Sequence, residues 1–326
     1  MIKRTEDINE MVSVVIPAYN HERFIVDCLE SVKDQTYKEI ELIVCDDNSH
    51  DATYRLAVDW CRQNQNRFVN CCILKNDTNQ GVTKNINRMV ELAKGDYIKI
   101  LASDDMLLPN GINDLVLVMR REHCDLVYAN AIKIKADTGK AVQDEDKMGF
   151  VFRKAPKYGA HPFEELYDWN FIPAFTVLLR RDCITKYGKF SETSTYEDWE
   201  YWLRMASRGA SFCYANSTVA YYRINEKSAS HFMRTEEEKK RFVLIVSELE
   251  EMLQEYACYT SKNMDGFWNN TLSTALHQHN DLVIKECIDK ASHIRFFQRI
   301  KLLLYRMNLY DITIEKIKYL QNYFEK

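Results

Sequence analysis

Short apolar segments alternate with amphipathic helical patterns along the first half of the chain, and this alternation restricts the possible folds more than any other feature. Residues 12–17 form a nearly continuous apolar run, which predicts a buried strand. Apolar side chains between Phe24 and Val32 then recur at helical spacing. Helical patterns also separate further predicted strands at residues 40–45, 69–75, 96–102 and 125–134. Because strands and helices in this order are joined by right-handed crossovers, the sequence predicts an α/β fold with a mainly parallel sheet and helices on both faces.

The pattern weakens in the middle of the chain and changes character near residue 229. Residues 135–158 are charged and interrupted by glycine, which predicts a loop, and strand patterns return twice after it. Thr235-Glu-Glu-Glu238 matches a helix capping box, and the rest of the chain has helical spacing without strand patterns. We therefore predict a first domain over residues 1–230 and a helical C-terminal region over residues 231–326.

Composition excludes several classes of protein. The formal charge of 44 − 48 = −4 gives no electrostatic reason to expect a nucleic-acid partner. The N-terminus lacks the apolar core of a secretory signal, and the apolar runs are far shorter than the ~20 residues that cross a bilayer. The ten cysteines form no CxxC pair and lie mostly in apolar runs, so we interpret them as small buried hydrophobic side chains in a reducing compartment. These features predict a cytoplasmic globular protein.

Pairs of acidic residues follow two of the predicted strands. Asp46 and Asp47 end the second strand, and Asp104 and Asp105 follow the fourth. Open α/β sheets bind their ligands at the carboxyl ends of the strands. Carboxylates at such an edge suit Mg²⁺ or Mn²⁺, which is commonly shared with substrate phosphates. Aspartates are also frequent in turns and helix caps, but two pairs on one sheet favour a cation site.

A third acidic pair, Glu197-Asp198, stands at the start of a predicted helix. Acidic residues are favoured in a first helical turn, because the helix dipole and the free N–H groups stabilise negative charge there. A carboxylate at this place could also accept the proton of an attacking hydroxyl as a general base. The residues alone leave both interpretations open.

Taken in order, these segments resemble the family 2 glycosyltransferases, a large group of inverting enzymes with the GT-A fold. The resemblance spans roughly residues 11–231. It is carried by Val12-Ser-Val-Val-Ile-Pro-Ala-Tyr-Asn20, Gln35-Thr-Tyr37, Glu41-Leu-Ile-Val-Cys-Asp-Asp-Asn-Ser49, Asn79-Gln-Gly-Val82, Ala93-Lys-Gly-Asp-Tyr-Ile98, Ser103-Asp-Asp105 and Tyr196-Glu-Asp-Trp-Glu-Tyr-Trp-Leu-Arg204. The resemblance implies a Rossmann-like nucleotide-diphospho-sugar transferase sheet. It also implies an enzyme that uses Mn²⁺ or Mg²⁺ to move a hexosyl or hexosaminyl group from a nucleotide-diphosphate donor, expected to be a UDP-sugar, to an acceptor hydroxyl.

The resemblance also implies roles for residues at matched positions on the base side. Pro17, Ala18 and Tyr19 match the loop around the donor base, with the Tyr19 ring as a stacking surface. Asp47 matches the acid that accepts a hydrogen bond from a uracil-like imide. Asp198 matches the catalytic base.

Further matched positions are implied to bind the diphosphate and the cation. Asp105, with the donor-binding Asp104 beside it, matches the family's metal-binding DxD-type motif. Lys84 and Asn87 lie in the donor-side helix of the family. Many members carry arginine where this chain has Ile86, so Lys84 is expected to supply the positive charge one turn earlier.

The end of the resembling region departs from the family pattern. Many members carry a Tyr-Arg-x-His turn whose histidine contacts the metal, whereas Tyr222-Arg-Ile-Asn225 has asparagine there. Two residues could compensate for the missing histidine, Arg223 as a donor-binding residue or His231 as a metal ligand. For His231 a solvent-facing loop histidine is the alternative interpretation.

The acceptor is expected to be a glycan or a lipid-linked glycan, because lipid-linked acceptors are common in this family. The helical C-terminal region could hold the acceptor, form an oligomer contact or rest on the inner face of the membrane. Lys301, Arg306 and Leu302-Leu-Leu-Tyr305 suit a lipid surface, and an ordinary packed helix explains them equally. The expected process is bacterial surface polysaccharide or lipid-linked glycan synthesis.

The alternative functions are a sugar nucleotidyltransferase and a non-enzymatic carbohydrate-binding protein. A sugar nucleotidyltransferase should have a Gly-rich, Arg-containing loop after its first strand, and Pro17-Ala-Tyr-Asn20 is not such a loop. A non-enzymatic carbohydrate-binding protein on a decayed transferase fold would not need Asp47, Asp105 and Asp198 together. The intact acidic positions therefore favour an enzyme.

Overall fold

The structure is a computed structural model that describes residues 10–137, 161–224 and 235–306. Its contacts divide the chain into two compact units. The first unit comprises Met1–Pro162, Phe171–Thr193 and Glu197–Ser228, and the second comprises Phe163–Asn170, Ser194–Tyr196 and Ala229–Lys326. The predicted boundary between residues 230 and 231 lies outside the described residues and stays a prediction.

An eight-stranded sheet forms the centre of the first unit in the described residues. The strands are β1 (Val12–Ala18), β2 (Ile40–Asp46), β3 (Asn70–Lys75), β4 (Tyr97–Ile100), β5 (Met106–Leu107), β6 (Leu126–Lys135), β7 (Leu178–Arg180) and β8 (Phe212–Ile224). Their order across the sheet is β3-β2-β1-β4-β7-β6-β8-β5. The predicted α/β fold is confirmed.

The two halves of the sheet differ in strand direction. Strands β3, β2, β1 and β4 are parallel to one another, as the alternating pattern predicted. Strand β7 runs antiparallel to both β4 and β6, while β8 is parallel to β6 and antiparallel to β5. The sheet as a whole is therefore mixed, and its parallel half brings the carboxyl ends of four strands to one edge.

Helices cover the sheet of the first unit and make up the second unit within the described ranges. They are α1 (Ile25–Lys33), α2 (Thr53–Asn64), α3 (Val82–Leu92), α4 (Gly111–Glu122), α5 (Phe163–Leu166), α6 (Asp182–Tyr187), α7 (Glu197–Ser207), α8 (Glu236–Glu255), α9 (Asp265–His277), α10 (Asp281–Lys290) and α11 (Phe296–Arg306). In α1 the buried face consists of Ile25, Cys28, Leu29 and Val32. This is the helical spacing that the sequence predicted, and it packs α1 into the core beside β1.

A buried polar network closes the amino end of the parallel strands. Glu41 of β2 is 1% exposed and accepts hydrogen bonds from Ser13 Oγ at 2.6 Å and from Lys94 N–H at 2.8 Å. Ser13 Oγ in turn accepts from Gly95 N–H at 2.8 Å. Since a buried carboxylate is stable only when it is hydrogen-bonded, this network fixes the turn between α3 and β4.

Replacing Gly95 by alanine is expected to destabilise the first unit by about 1–3 kcal/mol, the usual cost of overfilling a packed site. An added Cβ would lie 2.6 Å from Ser13 N and 2.7 Å from Met11 O, which are backbone atoms. Urea unfolding of Gly95→Ala and the wild type measures the difference. Lys94→Ala, at an exposed neighbour, is the control and should change stability by less than about 0.5 kcal/mol. Equal stability of Gly95→Ala and the wild type would contradict the expected clash.

The second unit begins its long helix as predicted. Thr235 Oγ1 accepts from Glu238 N–H at 3.2 Å, and Glu238 Oε2 accepts from Thr235 N–H at 2.8 Å, which confirms the capping box of α8. In α11, Lys301 and Leu302 are buried, and Lys301 Nζ donates to Ser273 Oγ at 3.3 Å. For these two residues the packed-helix interpretation is correct. No helix in the described ranges has the length and apolar character that a bilayer span requires.

The cysteines follow the prediction in part. Cys28 and Cys124 are buried in the hydrophobic core, as expected, and Cys45 is buried with its thiol beside Asn76 and Asn85. Cys61 of α2 and Cys71 of β3 are instead joined in a disulfide, with a Cα–Cα distance of 6.5 Å. The prediction missed this pair because the spacing along the chain does not show that α2 packs against β3.

Candidate active site

Three neighbouring strand ends define the candidate site. Strands β2, β1 and β4 are adjacent and parallel, and Ala18 of β1 lies beside Asp46 of β2. The residues that follow these strands, Tyr19, Asp47 and the acidic turn at Asp104, are therefore presented at one edge of the sheet. This is where an open α/β sheet binds its ligand.

The loops after β1 and β2 are hydrogen-bonded to each other. Asn20 adopts a left-handed conformation with φ 54°, and its N–H donates to Ser49 Oγ at 2.9 Å. His50 N–H donates back to Asn20 Oδ1 at 2.9 Å. Pro17 and Ala18 belong to the end of β1, whereas the Tyr19 ring is 40% exposed beside them. The bonded loops thus hold an aromatic ring open to solvent at the site edge.

Asp47 is a buried carboxylate with fixed orientation. It is 3% exposed, and its Oδ1 accepts from Asn76 Nδ2 and from Gln80 N–H, both at 2.8 Å. Its Oδ2 accepts from Gly81 N–H at 2.8 Å. Burial raises the pKa of Asp47, but these hydrogen bonds outweigh it and lower the pKa below its ordinary value. The carboxylate is therefore ionised at neutral pH.

A second layer of amides supports Asp47. Asn76 Nδ2 also donates to Asn85 Oδ1 at 2.6 Å, and Asn85 Nδ2 donates to Gly81 O at 3.1 Å. Arg88 donates to Asn76 Oδ1. Asn85 is 1% exposed and lies in the first turns of α3. The network therefore ties Asp47 to the start of α3, and the sequence interpretation did not include Asn76 or Asn85.

The two residues predicted on the donor side of α3 differ in environment. Lys84 is exposed in the first turn of the helix. Asn87 is 5% exposed and exchanges two hydrogen bonds with the backbone of Phe190, at 2.9 and 3.0 Å, and donates to Glu192 at 3.2 Å. Its amide joins α3 to the segment before α7. The structure thus gives Asn87 a positioning contact, and Lys84 is the charged group that α3 presents to solvent near the site.

The acidic turn after β4 places its two carboxylates differently. The Asp104 side chain is 20% exposed, whereas Asp105 is 2% exposed and its Oδ1 accepts from Arg223 N–H at 2.8 Å. Burial, together with the charge of Asp104, raises the pKa of Asp105 well above its ordinary value. Asp104 is therefore the accessible acid of the pair, and Asp105 lies behind it.

Arg223 stabilises the acidic turn through hydrogen bonds. The residue is 5% exposed, its Nε donates to Asp104 O at 2.8 Å, and its guanidinium lies over the Phe24 ring at 4.8 Å. It also approaches Asp27 Oδ2 at 3.3 Å. These contacts hold the side chain against Asp104 and Asp105, and the predicted role of Arg223 in donor binding stays a prediction.

A buried lysine connects β4 to the strand that carries Arg223. Lys99 is 0% exposed, and its Nζ donates to Ile100 O at 2.9 Å and Phe175 O at 2.6 Å. The Phe175 ring stacks on Tyr222 with a centroid distance of 5.0 Å. Burial lowers the pKa of Lys99 to about 7, and the charge of Asp105 opposes this shift. The sequence interpretation did not identify Lys99, because one lysine in an apolar strand shows no pattern.

Helix α7 carries the third acidic pair. Asp198 Oδ1 accepts from Trp199 N–H at 2.6 Å, as expected of an acid in a first turn. The Tyr201 ring stacks on Phe190 at 4.2 Å, and the Trp202 indole donates to Ile172 O at 3.0 Å. Because Phe190 also bonds to Asn87, the buried face of α7 is joined to α3. The predicted catalytic role of Asp198 stays a prediction.

Glu197→Gln is expected to change the pH dependence of stability. Burial, aided by the charge of Asp198, raises the pKa of Glu197 from 4.5 to about 7. Between these pH values the folded state holds a proton that the unfolded chain has lost, so wild-type stability falls as the pH rises toward 7. The variant should match the wild type near pH ~4 and exceed its unfolding free energy by about 1–2 kcal/mol near pH ~8, after allowing for partial exposure. Urea unfolding at both pH values checks this, and a difference independent of pH would contradict it.

Comparison with known proteins decides the family. The model of Glycosyl transferase family 2 matches residues 13–188, more than half of the 326-residue chain. The chain belongs to this family. It is a glycosyltransferase.

Two bacterial proteins are among the relatives of this glycosyltransferase. It is 30% identical over 223 residues to the UDP-Glc:alpha-D-GlcNAc-diphosphoundecaprenol beta-1,3-glucosyltransferase WfaP of Escherichia coli, covering 68% of this chain and 80% of WfaP. It is 28% identical over 224 residues to the putative glycosyltransferase EpsH of Bacillus subtilis, covering 67% of this chain and 62% of EpsH. Because both alignments cover about two thirds of this chain, the similarity to these relatives extends beyond its first half.

Solved structures share the fold of this glycosyltransferase. Residues 1–349 of S. aureus TarS in complex with UDP superpose with a TM-score of 0.60 at 17% identity, over 92% of this chain and 88% of that one. The mannosyltransferase PcManGT of Pyrobaculum calidifontis, in complex with GDP-Man and Mn²⁺, gives 0.57 at 14% identity, over 99% and 92%. The GT-A architecture is thereby confirmed.

The acidic turn of the glycosyltransferase suits a divalent cation. In the described part of the chain no three His, Cys, Asp or Glu side chains are arranged to hold a metal by themselves. A DxD motif has two aspartates separated by one residue. In this chain Asp104 and Asp105 are adjacent, and the position two before Asp104 is Ala102. Burial and the charge of Asp104 raise the pKa of Asp105, so added positive charge at this pair would favour the ionised form of both acids. Hard carboxylate oxygens fit Mg²⁺ or Mn²⁺ shared with a diphosphate.

Sequence reasoning missed His21. Its Nδ1 lies 2.7 Å from Ser103 Oγ, and its Nε2 lies 3.9 Å from Asp104 Oδ2. A single loop histidine has no periodicity or spacing that would mark it, and only the fold brings it beside the acidic turn. Of the predicted site residues, His231 lies outside the described residues, as does Asn225.

Proposed function

We propose that this glycosyltransferase moves a hexosyl or hexosaminyl group from a UDP-sugar to a glycan or lipid-linked acceptor hydroxyl with inversion. The observation that carries this proposal is Asp47, a buried and oriented acceptor beside the exposed Tyr19 ring. The acidic turn ends the strand on the other side of β1. A nucleoside diphosphate needs these two kinds of contact, one for its base and one for its phosphates.

The base side of the proposed site favours uracil. Tyr19 offers a ring face for stacking, and Asp47 Oδ2, which accepts the Gly81 N–H, keeps a lone pair for an imide N–H. Cytosine presents an acceptor at the matching position of its ring and would face an ionised carboxylate. Because two hydrogen-bond acceptors that face each other repel, this contact discriminates between the two bases.

The phosphate side is assigned to the acidic turn and α3. Asp104 and Asp105 would hold Mn²⁺ or Mg²⁺, with Asp104 as the accessible ligand. When bound, the cation supplies Lewis-acid stabilisation of the leaving nucleoside diphosphate. Lys84, exposed in the first turn of α3, adds positive charge on this side.

Asp198 is assigned as the base that receives the proton of the acceptor hydroxyl. The hydroxyl oxygen attacks the anomeric carbon from the face opposite the diphosphate, which leaves with the bonding electrons, so the centre inverts. The Trp199 N–H bond to Asp198 Oδ1 orients the carboxylate at the start of α7. The raised pKa of Glu197, about 7, reduces the second negative charge beside Asp198 near neutral pH.

The name of one relative supports the proposed acceptor class. The printed name of WfaP describes transfer of glucose to a GlcNAc-diphosphoundecaprenol, a lipid-linked acceptor. We assign this chain to polysaccharide or lipid-linked glycan synthesis, acting from the cytoplasm at the inner face of the membrane.

A thermal-shift screen of UDP, GDP, CDP and dTDP, each with and without Mn²⁺, tests the proposal. UDP with Mn²⁺ should give the largest stabilisation, since a ligand that binds only the folded state raises its melting temperature. Asp47→Asn should reduce the difference between UDP and CDP, because a neutral amide no longer repels the cytosine acceptor. Stabilisation by CDP equal to that by UDP in the wild type, or by no nucleotide at all, would refute the proposed donor class.

A further inference from the structure

His21 is held rigidly at the start of the loop that leads into α1. Its N–H donates to Thr53 Oγ1 at 2.8 Å, and its carbonyl accepts from Phe24 N–H and Ile25 N–H, both at 2.9 Å. The side chain is 29% exposed, and the ring packs edge-on against Phe24 with centroids 6.1 Å apart. Both the backbone and the ring are therefore fixed, while one side of the imidazole remains accessible.

The two ring nitrogens face different groups on the acidic turn. Nδ1 lies 2.7 Å from the hydroxyl of Ser103, a residue that is 1% exposed. Nε2 lies 3.9 Å from Asp104 Oδ2, on the accessible acid of the pair. The Ser103 hydroxyl can donate or accept, so the imidazole can adopt either neutral tautomer.

One tautomer creates a place for a cation. When Nδ1–H donates to Ser103, the Nε2 lone pair faces the Asp104 carboxylate, so two electron-pair donors face each other at 3.9 Å. Ligands at ~2.1 Å from one shared cation can be at most ~4.2 Å apart, so this separation lies within the span of a common ion. In most metal-bound histidines, the ring nitrogen that does not bind the metal donates a hydrogen bond to a neighbouring group. In His21 this nitrogen is Nδ1, and Ser103 is its partner.

We propose that His21 Nε2 is a ligand of the divalent cation at the acidic turn, paired with Asp104. This inference rests on the proposed function, because it assumes the cation that accompanies the nucleotide donor. The protein then supplies one nitrogen and carboxylate oxygen, and the diphosphate and water complete the shell. Because imidazole nitrogen is a poorer ligand for Mg²⁺ than for transition metals, the site prefers Mn²⁺.

Pulsed electron paramagnetic resonance of Mn²⁺ bound with UDP tests the ligand directly, without an activity measurement. Protein labelled with ¹⁵N-histidine should show a histidine-nitrogen coupling to Mn²⁺, and His21→Gln should lose it. His50→Gln, at an exposed histidine of the neighbouring loop, is the matched control and should keep the coupling. Calorimetry should also show that His21→Gln lowers the affinity for Mn²⁺ in the presence of UDP by about tenfold or more and lowers that for Mg²⁺ less.

The outcomes separate this inference from the proposed function. Mn²⁺ that binds with UDP but shows no histidine-nitrogen coupling overturns the role of His21 and leaves the proposed function standing. Failure of Mn²⁺ to bind with UDP overturns both. Coupling that persists in His21→Gln assigns the nitrogen to another histidine and also overturns the inference. Urea unfolding of His21→Gln establishes that the variant is folded before its spectra are compared.

Discussion

Asp198→Asn is expected to lower kcat by about 10²–10⁴-fold, the usual contribution of a general base. The asparagine amide keeps the size of the side chain and can still accept the Trp199 N–H, so α7 should fold unchanged. It cannot take up the proton of the acceptor hydroxyl. The affinity for UDP with Mn²⁺ should stay within about twofold, because Asp198 is assigned to the acceptor and not to the donor.

Steady-state kinetics and calorimetry on the same preparations check this prediction. Glu197→Gln is the neighbouring control and should retain most of the turnover near pH ~6, where Glu197, with a pKa of about 7, is largely protonated. A larger loss in Glu197→Gln than in Asp198→Asn would assign the base to Glu197 instead. Equal loss of turnover and donor affinity in Asp198→Asn would show that Asp198 binds the donor.

Asp104→Asn is expected to weaken Mn²⁺-dependent UDP binding by at least about 10–100-fold, the loss that follows removal of a residue which merely supports a metal ligand. Asp104 is the accessible carboxylate of the acidic turn, and its backbone carbonyl, which accepts from Arg223 Nε, is unchanged by the substitution. The turn should therefore keep its shape and lose one negative charge.

Calorimetric titration of UDP with and without Mn²⁺ measures the effect. The affinity measured without metal should change little or increase, since Asp104 then only repels the diphosphate. Asp59→Asn, an exposed acid on α2, is the charge-matched control and should behave like the wild type. Unchanged Mn²⁺-dependent binding in Asp104→Asn would remove the acidic turn from the proposed cation site.

The sequence predicted the parts of the fold that have strong local patterns. Continuous apolar runs and helical stripes identified β1, β2 and α1, and the acids at the strand ends located the site edge. Strand β7 has three residues, too few to show a period, so its antiparallel place between β4 and β6 was not predicted. The mixed half of the sheet therefore emerged only from the structure.

Site residues were predictable where a family motif includes them and less so where tertiary contacts decide their role. The place of Asp47 follows from an acid at a strand end, and its surroundings agree with a buried acceptor. The contact of Arg223 with the acidic turn was not predicted, because Asp105 lies 118 residues away and the sequence does not show that the Arg223 backbone N–H is the donor. His21 was missed for the same reason, since Asp104 is distant in sequence.

The hydrogen bonds that hold Asp47 have a consequence for ligand selection. The carboxyl group has already lost its proton and its rotamer is fixed by Asn76 and two peptide groups before any nucleotide arrives. Uptake of a uracil ring then needs neither deprotonation nor side-chain ordering at this position. The conformational entropy of the Asp47 side chain is lost when the chain folds and not when the nucleotide binds. Asp47 can therefore discriminate between bases without reducing the affinity for the preferred one.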